Sequence, residues 1–482
     1  MADQTEAGKA SRFSKYIEGL KSVIGHPRRA ERLRDYCAGL LLSGGRRSVE
    51  PMAALTATTR ERVPAQHQSL LHFVGEGSWS DEQVLAKVRE MVQPEIERHG
   101  SIKAWIIDDT SFPKQGQHSV GVARQYCGQL GKKANCQVAV SLSIANHYAS
   151  FPVAYRLYLP QEWAADAARR SKVGVPEEIE FQTKIEIARG QLRWACKAGL
   201  PRGVGLMDAA YGSSSQLRAE MTELGLTYVV GILPSITVRP PDSDLLRAKA
   251  WSGLGISAKR MRSDGSPRVV SVKEVALALR KRAWRKIIWR EGTNTKLSSR
   301  FARLRVRVTR RDEPLTASRL EEWLLMEWPE GAAEPTRYWL STLPADIGFR
   351  SLVDFAKLRW RIERDYQELK QEVGLGHFEG RGWRGFHHHA TLCIAAYGFL
   401  ISERGTIPPC GPASAGRVAQ LTVPENYRPR GSAVSAATPR PRLDRHRAPP
   451  DHRSSPQGTA ATLSMLRGSH HDSMEAEKCL TQ

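Results

Sequence analysis

The chain has 482 residues, more than one ordinary compact domain holds, so two or three folded units joined by less ordered segments are expected. A hydrophobic content of 41% suffices for a substantial core, and no run of about 18 apolar residues exists to span a membrane. Lys and Arg total 72 against 50 Asp and Glu, and the resulting net charge of +22 points to a polyanionic partner, nucleic acid first.

Seven cysteines, an odd number with no CxxC pair, argue against a disulfide framework and against a structural zinc site. The opening MADQTEAGKASRFSK has no apolar stretch and does not resemble a secretory signal, so a reducing cytoplasm is the expected location.

Residues 1–100 are predicted to form a helical N-terminal domain. RFSKYIEGLKSVIG and RRAERLRDYCAGLLLSG carry apolar residues at helical spacing, and Gly44 and Gly45 end the second segment. Ser80 with Gln83 makes a capping-box pattern ahead of VLAKVREMV. Spacing alone leaves two roles open, a DNA-binding unit or a packing domain. From 101 to 231 the texture is mixed. SIKAWIIDDTS is a short apolar strand expected to end in carboxylates, and CQVAVSLSI and FPVAYRLYL follow as strands around an Asn146–His147 turn. A helix leads to the strand GVGLMDAAYG, then a helix over about 213–224 and the strand TYVVGIL. Strands in sequence followed by alternating helix and strand predict a mixed α/β sheet.

Residues 232–345 interrupt this core with short strands (WRKIIWRE, ARLRVRVTR, EWLLMEW, RYWLSTL) and read as a β-rich basic insertion. Residues 346–404 return to helix, first the long pattern over 349–373 and then HATLCIAAYGFLISE. The tail, 405–482, holds 10 of the 27 prolines and a single aromatic residue, Tyr427, so disorder is expected there.

Candidate chemistry gathers at strand ends. Asp108 and Asp109 follow Trp-Ile-Ile, and Asp208 follows Gly-Leu-Met. Open α/β sheets bind ligands at such ends, and neighbouring carboxylates repel unless a cation sits between them. Magnesium suits that arrangement, because it takes oxygen ligands and keeps sites for water and phosphate. Any one of these aspartates could equally be a turn or helix cap. Arg359, Glu363 and Lys370 share roughly one helix face; spacing alone favours a solvated row of i,i+4 ion pairs over the other arrangement it allows, a metal ligand flanked by phosphate-holding cations.

LRWRIERDYQELKQEVGLGHFEGR resembles the C-terminal signature of insertion-sequence DDE transposases, in which Tyr, Arg, Glu and Lys recur at fixed spacing. Arg359, Glu363 and Lys370 match three of the four positions, and Ala356 stands where the tyrosine is found. WIIDDTSFPKQG is similar to the first catalytic strand of that group and favours Asp109 over Asp108; GLMDAAYGSS resembles the second and gives Asp208. With GRGWRGFHHHATLCIAAYGFL, the pattern is similar to the insertion-sequence family numbered seven-zero-one over about residues 12–404. The resemblance implies an RNase H-like core interrupted by the insertion and preceded by the helical domain. It implies Asp109, Asp208 and Glu363 as ligands of two Mg²⁺ ions, with Mn²⁺ as a substitute. It also implies cleavage at transposon ends with 3′-hydroxyl strand transfer, double-stranded terminal repeats and target DNA as partners, a homodimer that pairs the ends, and a bacterial cytoplasmic, nucleoid-associated location. The rival readings are a catalytically silent DNA-binding derivative and a metal-dependent endonuclease without strand transfer.

Further DNA contacts are expected from the stretch 280–311, with thirteen Lys and Arg against one Glu. Arg303, Arg305 and Arg307 alternate along a strand and line one face. Trp284 and Trp289 are expected in the core. His387, His388 and His389 point about 100° apart on a helix and cannot all face one ion, so a structural or phosphate-contact role is expected. Lys114, Lys132 and Lys133 are either DNA contacts or ordinary exposed lysines.

Overall fold

The computed structural model describes residues 2–42, 45–239, 269–291, 296–309 and 321–405. The tail after Gly405 and parts of the basic insertion, Arg310 and Arg311 included, lie outside the described residues.

Five helices open the chain: α1 (Ala2–Ile24), α2 (Pro27–Leu41), α3 (Val49–Thr56), α4 (Val63–Gly75) and α5 (Asp81–Glu97). The Ser80 hydroxyl caps α5 as expected, accepting from the Gln83 amide at 3.2 Å. The core strands follow: β1 (Ala104–Pro113), β2 (Ala123–Cys127), β3 (Lys132–Ala145) and β4 (Ser150–Leu157). Asn146 makes the predicted turn, its Oδ1 accepting from the amides of Tyr148 and Ala149. Two short helices, α6 (Gln161–Ala164) and α7 (Ala167–Lys172), precede α8 (Lys184–Lys197), which starts at a Thr183–Glu186 capping box. Then come β5 (Val204–Met207), α9 (Ala209–Gly212), α10 (Ser215–Glu223) and β6 (Tyr228–Ile232).

The order β4-β3-β1-β5-β6, with β1, β5 and β6 mutually parallel and β3 antiparallel to both its neighbours, forms a mixed α/β core. The segment predicted as an insertion supplies β7 (Thr237–Arg239), β8 (Val270–Ser271), α11 (Val272–Ala278), β9 (Arg285–Glu291), β10 (Lys296–Val308), β11 (Glu322–Trp328) and β12 (Arg337–Ser341). These strands do not build a separate sheet. β12 pairs antiparallel with β6, β11 with β12 and β10 with β11, so the core sheet runs on through them.

Helices α12 (Phe349–Leu358), α13 (Trp360–Gln371) and α14 (Trp383–Gly405) close the described chain. A single helix was expected over 349–373; the structure interrupts it at Arg359, with neither Gly nor Pro at the break. α14 is buried along nearly its whole length. The N-terminal helices pack on it: Tyr16 donates to the Ala395 carbonyl at 2.8 Å, and Val92 lies against Gly398. They therefore share one apolar core with α14 and one face of the sheet. A second core, under α12 and α13, covers the other face through Ile106, Leu206, Val229, Leu325, Leu352, Val353 and Ile362.

Candidate active site

β1 does not stop at its carboxylates, as the sequence suggested. It runs on to Pro113, with Asp108 opposite Ser141 and Asp109 opposite Val140 of β3. What ends there is its parallel neighbour: β5 pairs up to Ile106↔Leu206 and stops at Met207. The two aspartates thus flank a crevice at the carboxyl end of β5, where open α/β sheets place ligands. Asp208 turns out of β5 and caps α9, accepting from the amides of Ala210 at 3.0 Å and Tyr211 at 3.3 Å. This turn depends on two glycines. A Cβ on Gly212 would lie 2.1 Å from the Gly231 carbonyl oxygen, so only glycine lets α9 approach β6 this closely.

Successive residues of a strand face opposite ways. Ile106 belongs to the core beneath α12 and α13, and Ile107 to the core that includes Ile187 and Leu192 of α8. Asp108 accordingly reaches the Arg359 guanidinium, and Arg359 Nη2 donates to Glu363 Oε1 at 2.5 Å. Tyr366, one turn beyond Glu363, donates to the Asp108 carbonyl at 3.1 Å and bonds Ser141 at 2.8 Å. Asp109 looks the other way. Its Oδ2 accepts from Lys184 Nζ at 3.1 Å and from the Tyr211 hydroxyl at 3.2 Å. Of the expected trio, Glu363 and Asp208 lie in the electrostatic reach of Arg359 together with Asp108, while Asp109 is held by Lys184 and Tyr211.

Lys184, Tyr211 and Tyr366 were not singled out from sequence. The Thr183–Glu186 capping box does mark Lys184 as the first residue of a helix, and Tyr211 lies three residues after Asp208. Neither signal tells which strand residue the side chain meets.

Burial pushes the Asp108 carboxyl up to about 7; Arg359 opposes this, while the charges of Asp208 and Asp109 add to it. Burial works against the Arg359 charge as well, but Asp108, Glu363 and Asp208 outweigh it and raise its pKa. Lys370 is brought down to about 8, mainly by burial. Its Nζ donates to the Ser111 carbonyl at 2.7 Å, just beyond Asp109 on β1.

Among the described residues, no three carboxylates, imidazoles or thiols are gathered as a ready-made metal cage. The donor set is nevertheless of the oxygen type a hard divalent ion takes: Asp108 lies in the electrostatic reach of Asp109 and Asp208, and Arg359 in that of Glu363 and Asp208. Two of the chain's own cations stand among them, the Arg359 guanidinium between Asp108 and Glu363 and the Lys184 ammonium on Asp109. The cluster therefore already needs positive charge and takes it from within the chain.

The predicted arginine row does share one face of β10, the face beneath α12. Arg303 donates to the Ile347 carbonyl and lies 4.3 Å from the Trp323 ring centroid. Arg305 bonds the Glu321 carbonyl, and Arg307, the most exposed of the three, pairs with the Glu321 carboxylate at 3.2 Å. Trp284 and Trp289 pack against the two cores, as expected. Lys114 donates to the Phe378 carbonyl, whereas Lys132 and Lys133 are exposed. The three histidines are buried and committed to the fold: His387 to Trp383, His388 to Val74 and Trp79, His389 to Tyr36 and Gly374.

Comparison with known proteins bears on this crevice. Residues 19–296 match the DDE superfamily endonuclease family, and residues 201–399 match the transposase DDE domain. The chain is also similar to the probable transposase for insertion sequence element IS701 of Microchaete diplosiphon. The two are 23% identical over 364 residues, covering 75% of this chain and 80% of that relative.

Proposed function

Because the chain belongs to the DDE superfamily of endonucleases, we propose that it is an insertion-sequence transposase that cleaves transposon ends and joins the freed 3′-hydroxyl to target DNA with two Mg²⁺ ions. The observation that supports this reading is the ion-pair network that links Asp108 through Arg359 to Glu363, with Asp208 in the electrostatic reach of Arg359 and with Asp109, next to Asp108 on β1, held by Lys184. Asp109, Asp208 and Glu363 are the proposed ligands. Of the two β1 aspartates, Asp109 matches the family pattern and is the more exposed, with 28% of its side chain accessible against 14% for Asp108. Divalent ions held there supply Lewis-acid polarisation of the phosphodiester and a more acidic attacking water or 3′-hydroxyl.

The chain's own part is to place charge and exclude alternatives. Asp108 anchors Arg359, and Tyr366 fixes the β1 backbone beside it. Arg359 and Lys370 present cations to the scissile strand, where hydrogen bonds to phosphate oxygens set its register. Arg303, Arg305 and Arg307 extend a cationic track along the sheet; Arg307 offers it the most exposed head group, since Arg303 and Arg305 are partly spent on backbone carbonyls. Two copies acting on paired ends are part of this proposal.

The test uses DNA carrying the inverted ends that flank the coding region. Asp109→Asn, Asp208→Asn and Glu363→Gln are each expected to abolish strand cleavage and to spare end binding in a mobility-shift assay. Asp108→Asn, which keeps an acceptor for Arg359, is expected to retain measurable cleavage. Normal cleavage by any of the first three removes that residue from the site, and loss of all cleavage in Asp108→Asn moves the ligand role from position 109 to 108.

A further inference from the structure

Two of the three proposed ligands already hold a cation supplied by the chain. The Asp109 carboxylate is engaged by Lys184 and Tyr211, and the Glu363 carboxylate by Arg359. Neither cation is deeply sequestered. About a third of the Lys184 side chain and a quarter of that of Arg359 remain accessible, and both line the crevice. Lys184 is also the first residue of α8, held by a capping box that does not involve its side chain. Its amine can therefore swing without disturbing the helix.

Resting on the transposase reading above, we infer that Lys184 and Arg359 are built-in counter-ions of this site, displaced by divalent ions and thereby released to bind DNA phosphate, so that metal loading and DNA binding reinforce each other. The charges require an exchange of this kind. Clustered carboxylates without compensation repel one another. Divalent ions arriving at Asp109 and at Glu363 each bring more positive charge than the cation already there and repel it. Once expelled, an ammonium and a guanidinium at the mouth of the crevice face a phosphodiester. Arg359 keeps its second partner, Asp108, and so pivots at the break between α12 and α13 without leaving. Linkage then makes the effect reciprocal: DNA that captures the two cations uncovers the carboxylates and tightens metal binding by the same factor.

The coupling is read by calorimetric titration of the full chain with Ca²⁺, with and without a short duplex of arbitrary sequence. The wild-type chain is expected to bind Ca²⁺ more tightly when duplex is present. In Lys184→Gln and in Arg359→Gln, Ca²⁺ affinity without DNA is expected to rise about 1.5-fold to fivefold, what a partly exposed ion pair is worth, and the gain on adding duplex is expected to shrink. Lys184→Arg, which restores the counter-ion, is expected to return to wild-type behaviour. Variants with wild-type melting temperatures whose DNA-free Ca²⁺ affinity is unchanged or weaker overturn the inference and leave the transposase reading intact. A wild-type chain that takes up no Ca²⁺ under either condition overturns both.

Discussion

On β1 the Asp108 carboxylate meets a guanidinium, and one residue later the Asp109 carboxylate meets an ammonium and a phenol. The pleat of the strand separates two groups that a sequence cannot tell apart. His388 gives a test at the same scale. Its ring stacks on Trp79 with centroids 3.6 Å apart, and its two nitrogens lie 3.0 Å from the carbonyl oxygens of Val74 and Trp79. Burial lowers its pKa to about 4. A histidine held below its unfolded value near 6.5 contributes stability that is fully present above about pH 6.5 and is lost as pH falls through about 4. His388→Gln forfeits the contacts but cannot titrate. The variant is expected to be less stable than wild type at pH 7.5 by urea denaturation, with the gap between the two closing as pH falls through that window. A gap independent of pH would mean that His388 is not buried in its neutral form.

Among elements, the site depends most on how closely α9 lies on β6. At Gly212 a Cβ would meet the Gly231 carbonyl at 2.1 Å and Val230 Cβ at 2.7 Å, backbone and branched side chain that have no room to give. Gly212→Ala is therefore expected to cost about 1–3 kcal/mol of stability. It is also expected to lower cleavage by displacing the turn that Asp208 caps, whereas Gly190→Ala, on α8 with open space around it, should leave cleavage unchanged and raise stability by about 0.5–1 kcal/mol. Equal behaviour of the two variants in thermal melts and cleavage assays would dismiss the close approach. Sequence periodicity located the longer elements, because half-buried strands and amphipathic helices write their burial into residue order, and passed over short ones such as α6, α7, α9, β2, β7 and β8. It located the strands of β9, β10, β11 and β12, the Ser80 cap and the turn at Asn146. It did not show that β1 continues past Asp109, since what ends there is the neighbour β5, and pairing partners leave no trace in local pattern. The break at Arg359 was equally illegible: without Gly or Pro, it coincides with a side chain shared by two carboxylates far apart in the chain, Asp108 and Glu363.

Across the whole molecule the decisive feature is continuity. The described strands after β6 extend the sheet that carries the candidate site, and α12, which leads into the helix bearing Glu363, lies across that junction. Lys357 of α12 is fastened there to Glu327 of β11 through both carboxylate oxygens at 2.6 Å, with only 8% and 4% of the two side chains accessible. The rings of Trp289, Phe301 and Trp339 lie within 4.7–5.5 Å of the ammonium. Burial lowers the Lys357 pKa, and Glu327 opposes that fall. Removing one partner of such a pair strands the other in a low-dielectric setting, at a cost of about 3–5 kcal/mol, whereas replacing both with apolar residues of similar size is often near neutral. Glu327→Leu is therefore expected to destabilise the chain by about that amount, and Lys357→Met in the same background to recover most of it. Because the pair joins the late strands of the sheet to α12, which leads directly into α13, the loss should appear as a single shifted unfolding transition, with cleavage falling in parallel at temperatures near the new midpoint. Two separate transitions in calorimetry, with only one of them moved by Glu327→Leu, would show that the late strands form an independent domain and that Lys357 does not connect them to the site.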